Sequence, residues 1–186
     1  TRRRGCGTVP DVVTRDMAQC QLSAARSLAP GSADVTGDQH KGQAKMAASP
    51  TLVRRINSDP AVERVLHLVD IKNGSSVCTD AYFSSVRALF DTFQDPFLYT
   101  PGDNEWTDCH RTNNGAYLPT ERLAAIRRLF YPVTGQGLGV NKKQVLRQAG
   151  HPGYESSVEN TLWFHSKVPF AYLNYPGSYN DHPPWT

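Results

Sequence analysis

An α/β fold built on parallel strands is predicted by three features of this chain. Acidic residues close short apolar segments at Asp38, Asp70 and Asp103, at intervals of 32 and 33 residues. That interval is the length of a strand, a crossover helix and a return strand. The segments between them carry helical periodicity bounded by Asp-Pro breaks, and Val65 to Val69 is a nearly continuous apolar run, as a strand buried on both faces requires. In an open parallel sheet the carboxyl ends of neighbouring strands lie side by side, so side chains just beyond them converge in one crevice.

The elements follow in order. Residues 1–32 are rich in Arg, Gly, Ser and Ala without a sustained period and read as an N-terminal extension, with a short helix from Val13 to Leu28. Ala33 to Thr36 is a strand ending at Gly37-Asp38. Ser49 is placed as an N-cap with Pro50 at N1 of a helix running through Leu52, Val53 and Ile56 to Asp59-Pro60. The strand Val65–Val69 comes next. Thr79 or Asp80 caps a helix in which Tyr82, Phe83, Val86, Leu89, Phe90 and Phe93 recur at i, i+3, i+4, i+7 spacing, a core-facing stripe. Asp95-Pro96 ends it, Phe97 to Thr100 is the third strand, and Pro119 to Phe130 is a third helix with Leu123, Ile126, Leu129 and Phe130 inward. Beyond Tyr131, TGQGLGVNKK has neither a dinucleotide-binding glycine pattern nor a Walker lysine and reads as a loop. Val168 to Tyr175 is a further strand, interrupted by Pro169, and PGSYNDHPPWT is turn-rich.

Charge is nearly balanced: 20 Lys plus Arg against 17 Asp plus Glu gives a formal net charge of +3, which demands neither a nucleic-acid groove nor a membrane surface. Arg2, Arg3 and Arg4 form the one tight basic cluster and read as a solvated tail. No apolar run approaches the ~20 residues of a membrane span, so a soluble protein is expected. Cys6, Cys20, Cys78 and Cys109 show no zinc-finger spacing. Cys78 lies eight residues after Asp70 and Cys109 six after Asp103, on loops leaving adjacent strand ends. A Cys78–Cys109 disulfide, and with it a secreted or periplasmic location, is preferred over two free cytosolic thiols. Cys6 with Cys20 is the pairing that remains. The basic N-terminus lacks the apolar stretch of a signal peptide, so a leader is expected to have been removed.

As chemistry, Asp38 and His40 stand two residues apart and can turn to one side of an extended loop. Asp70 can bridge two ions through its two oxygens, and Asp103 with Asn104 adds a carboxylate and an amide oxygen. Mixed nitrogen and oxygen donors suit Mn, Fe or Zn. Two such ions ~3.5–4 Å apart can clamp a phosphate and activate water.

These blocks resemble the calcineurin-like metallophosphoesterase superfamily, whose motifs are D-x-H, G-D and G-N-H-D/E. The resemblance is closest to exported bacterial metallophosphoesterases through INSDPAVERVLHLVDIKNGSSVC, LFDTFQDPFLYTPGDNEWTDCHR and ERLAAIRRLFYP, and extends less sharply to FAYLNYPGSYNDHPPWT. It spans most of residues 33–186, with TPGDNEWTDCHR the most specific part. It implies a βαβαβ core in a sandwich of two sheets flanked by helices, and two divalent metal ions at the strand ends. Asp38 and His40 match ligands of the first metal, Asp70 the bridging ligand, and Asp103 the position of the usual Asn ligand. Asn104 falls where a histidine usually contacts the phosphate, so Asp70 and Asn104 are the candidate catalytic residues.

Departures from the pattern are specific. Val69 stands where a glycine usually precedes the bridging aspartate. Asn104 cannot act as a general acid, though its amide can orient a phosphate oxygen. No H-x-H follows Asp103; His110, His151, His165 and His182 are isolated. The chain also ends at Trp185-Thr186, where the family domain would continue, so its C-terminal part is expected to be absent. The leading expectation is a phosphoesterase hydrolysing phosphate mono- or diesters through a metal-bound hydroxide. The alternative is a non-catalytic binding protein, or an enzyme fragment, on the same scaffold with an incomplete metal site.

Overall fold

A computed structural model describes residues 32–37, 42–133, 135–165 and 167–176. Strands β1 (Ser32–Gly37), β2 (Val62–Leu68) and β3 (Phe97–Thr100) form a parallel sheet in the order β1-β2-β3. Helices α1 (Gly42–Asn57) and α2 (Asp80–Phe90) are the crossovers. Both connections step the same way across the sheet, and right-handed crossovers therefore lay both helices on one face.

The pleat sorts the strand residues between two cores. Val65 of β2 with Phe97 and Tyr99 of β3 faces the helices, joining Val53 and Ile56 of α1 and Phe83, Val86 and Phe90 of α2. A third helix, α3 (Pro119–Phe130), adds Ile126 and Phe130 to the same layer. Phe90 is central, with its ring 4.2 Å from Phe97 and 5.8 Å from Phe130. Burying each such side chain stabilises the fold by about 1.5–3 kcal/mol. Leu66 and Leu98 point to the opposite face, where Trp163 and Tyr172 cover them.

Those two aromatics come from a second, antiparallel sheet: β4 (Leu146–Arg147), β5 (Thr161–His165) and β6 (Val168–Tyr172) in that order. The layers are thus helices, parallel sheet and antiparallel sheet, a mixed α/β arrangement with two small sheets. The β6 strand stops at Tyr172 rather than Tyr175, and β4 and β5 are strands where the sequence showed no alternation. In β5, Trp163 is buried while its neighbour Phe164 stays exposed, so two large apolar residues in succession hide the period of two.

The first helix corrects an expectation. Pro50 is interior to α1 and not its N1 residue. Proline there removes the backbone donor that the Met46 carbonyl would otherwise receive. The helix nevertheless continues because Met46, Ser49, Val53 and Ile56, at i, i+3, i+7 and i+10, share its inward face. In α2, Thr79 rather than Asp80 is the N-cap, its hydroxyl accepting from the Tyr82 N–H at 3.2 Å. The β2 strand begins earlier and ends one residue sooner than expected, for Val69 leaves it with φ +56°. The expected helix Val13–Leu28, Cys6, Cys20 and residues 1–31 of the expected extension 1–32 lie outside the described residues, while Ser32 opens β1. No helix among the described residues is long and apolar enough to cross a membrane.

Candidate functional site

The register pairs Gly37 with Leu68 and Leu68 with Thr100, so the three parallel strands end level with one another. Asp70 follows Leu68 by two residues and Asp103 follows Thr100 by three. Asp38 and His40, directly after β1, lie outside the described residues.

Val69 turns the chain sharply out of β2. Its N–H still bonds to the Thr100 carbonyl at 3.1 Å, but its positive φ is a conformation that a β-branched side chain resists. The turn sets the Asp70 carboxylate against the loop after β3. A Cβ on Gly102 would lie 2.0 Å from Asp70 Oδ1 and 2.7 Å from the Asp70 nitrogen, so only glycine permits this approach. Asn104 completes the contact: its side-chain amide donates to Asp70 Oδ2 at 2.8 Å and to the Lys72 carbonyl at 3.1 Å. The backbone N–H of Asn104 reaches Asp70 Oδ1 at 3.4 Å.

Beneath this pair lies a buried polar floor. Glu105, fully buried, accepts from the Tyr99 hydroxyl at 2.6 Å and from the Gly102 N–H at 2.7 Å. Burial raises the Glu105 carboxyl to about 7, reinforced by the charge of Asp70 and opposed by the Tyr99 hydrogen bond. Lys72 is also fully buried, its ammonium donating to the carbonyls of Asn73 at 2.8 Å and Asn104 at 2.7 Å. Burial pulls its pKa down, while the surrounding carboxylates of Glu105, Asp108 and Asp70 oppose that shift. Asp108, raised by burial, is bound by Arg111 at 2.6 Å.

The rim is stapled. Cys78 and Cys109 form a disulfide with Cα atoms 5.9 Å apart, as expected from their places after β2 and β3. Arg122 of α3 ties the same loop down, donating to the Cys78 carbonyl at 2.9 Å and to Asp80 at 2.7 Å. Asn114 clamps the two loops together through the carbonyls of Gly74 and Asp108.

Of the sequence-selected residues, Asp70 and Asn104 are in direct contact. Asp103 is half-buried beside them and uses its backbone carbonyl to receive the N–H groups of Trp106 and Asp108, starting the 3-10 turn Thr107–His110. Its carboxylate forms no hydrogen bond among the described residues. His110 sits in that turn, with Nδ1 2.6 Å from the Thr107 carbonyl. His165 is at the other edge of the sheet, 3.3 Å from Arg64 near the start of β2, and does not fold back onto the strand ends. His151 is exposed, and His182 lies outside the described residues. Among the described residues no three His, Cys, Asp or Glu side chains are grouped as a metal shell.

Sequence reasoning missed Lys72 and Glu105. The available signal was a lysine directly after Asp70-Ile71 and a glutamate inside the Asp103 segment, both in stretches otherwise chosen for their carboxylates. No known family, curated protein or solved structure matches this chain. Chemical inference about the site therefore rests on its own residues.

Proposed function

We propose that the protein is a divalent-metal-dependent phosphoesterase whose site lies at the carboxyl ends of β1, β2 and β3. The observation that supports this reading is the level register of those ends at Gly37, Leu68 and Thr100, with the Asp70 and Asp103 segments leaving two adjacent ones. Asp38, His40, Asp70 and Asp103 would hold two ions, of the Mn, Fe or Zn class. Asp70 and Asp103 are the acids at these ends that would face a cation, since Glu105 is held by Tyr99 and Gly102 and Asp108 by Arg111. When bound, the ions would supply the positive charge that a phosphate ester and an attacking water both require.

The chain's own residues have separate tasks in this reading. Asn104 orients the Asp70 carboxylate: its two amide N–H donors go to Asp70 and to the Lys72 carbonyl, so it acts as a positioning residue with no proton to give at neutral pH. Glu105 and Tyr99 hold the Gly102 turn against Asp70. The disulfide keeps both loops in place and supports an exported location.

A second reading, a non-catalytic binding protein on the same scaffold, draws its support from Lys72. A buried ammonium already offsets part of the carboxylate charge that a metal would otherwise neutralise. Metal content per chain, measured together with turnover of an aryl phosphate across a manganese or zinc titration, separates the two. Stoichiometric metal with saturable hydrolysis establishes the enzyme; no metal and no turnover establishes the scaffold.

A further inference from the structure

At the opposite edge of the sheet, by the amino ends of β2 and β3, a cavity of about 50 Å³ opens between the two sheets. Leu98, Trp163 and Phe164 give it apolar walls, and its polar groups are Arg64, Lys143 and Gln144. Arg64 is only 5% exposed, yet the one hydrogen bond of its guanidinium among the described residues is from Nη2 to His165 Nδ1 at 3.3 Å, with Glu63 acting on it only through its charge. A guanidinium carries five N–H donors, and such a group when buried ordinarily meets a carboxylate or phosphate fork. The Trp163 indole nitrogen, buried in the same wall, has no hydrogen-bond partner among the described residues. The nearest acid, Glu63, does not line the cavity; its carboxylate lies 3.9 Å from His165 Nδ1.

Two cations thus share one pocket. Burial depresses the pKa of Lys143 and the charge of Arg64 depresses it further, opposed by a smaller effect of Glu63, and an anion between the two cations would be attracted by both. At ~10–15 Å³ per water, the space holds roughly four waters, enough for a compact oxyanion and too little for a nucleotide. We propose that this cavity binds a small tetrahedral oxyanion, with inorganic phosphate the ligand that best matches an arginine fork, a lysine point charge and an indole donor. It is separate from the Asp70 crevice: Arg64 and Leu68 are four residues apart on β2, roughly 13 Å at ~3.3 Å per residue.

The test is calorimetric titration of inorganic phosphate into the intact chain at low ionic strength, with Asp70→Asn, Lys143→Gln and Arg64→Met run in parallel. Lys143 is exposed at the rim, so its substitution leaves the fold intact even where the Arg64 variant fails to fold. Binding should persist in Asp70→Asn, weaken roughly three- to fivefold in Lys143→Gln, and weaken roughly 10- to 100-fold in Arg64→Met. No binding by the wild type overturns the proposal. So does binding unaffected by Lys143→Gln, or binding lost in Asp70→Asn.

Discussion

The side-chain amide of Asn104 donates to the Asp70 carboxylate at 2.8 Å, joining the loops that leave two adjacent parallel strands. Asn104 is held in turn by Lys72, whose ammonium donates to the Asn104 carbonyl and whose own carbonyl accepts from the Asn104 side-chain amide. The polar contacts across the strand ends therefore form a closed circuit, and each member constrains the others.

If the proposed two-metal site is correct, replacing Asp70 with Asn should preserve the fold while removing most bound metal, because a bridging ligand would serve two ions. Circular dichroism and metal analysis on the same sample check both halves. Wild-type metal content in the variant would remove Asp70 from the site.

Gly102→Ala should be severely destabilising. The new methyl would meet both the Asp70 carboxylate and the Asp70 backbone, and backbone cannot move aside as a flexible side chain can. A loss of about 3 kcal/mol or more is expected from such overpacking, read as a lower urea midpoint.

Val69→Gly should act in the other direction. Left-handed backbone costs a non-glycine residue about 1–2 kcal/mol, and glycine's greater freedom in the unfolded chain returns part of that gain. Val69 is 45% exposed, so little buried surface is lost. A net stabilisation of about 0.5–1 kcal/mol is expected in the same denaturation measurement. A destabilised variant would show that the turn imposes no strain on valine.

Lys72→Met should destabilise by about 3–5 kcal/mol, since it strands buried carboxylates without their counter-charge and leaves two carbonyls without a donor. Thermal unfolding would read the loss. A neutral result would mean that Glu105 and Asp108 are already protonated or solvated in the native state.

Opening the Cys78–Cys109 bridge, by Cys→Ser at both positions, should remove about 3.7 kcal/mol, the chain-entropy value for a 31-residue separation. Because both loops flank Asp70 and Asn104, metal affinity should fall with it. Unchanged stability in the double variant would place the order of the rim in Asn114 and Arg122 instead.

Much was legible from local pattern. The βαβαβ order, the strand Phe97–Thr100, the helix Pro119–Phe130, the Thr79 or Asp80 cap and the disulfide all follow from neighbours within a few residues: an apolar run, a proline at N1, a hydroxyl before a helix, cysteines just past two strand ends. The start of α1 was hidden because Pro50 is a helix-start signal wherever packing does not override it. Strands β4 and β5 were hidden because Arg147 and Thr161 are buried while Phe164 is exposed, which erases alternation.

The sequence by itself determined that acidic segments close parallel strands at regular intervals, since apolar periodicity and crossover length are properties of contiguous residues. Only the tertiary structure decided which polar groups meet. Asp70 and Asn104 are 34 residues apart, Arg64 and His165 101 apart, and Lys72 becomes fully buried only when loops from two strands close over it. The pairing of buried polar groups is a cost shared between distant segments, so no local window of sequence contains it.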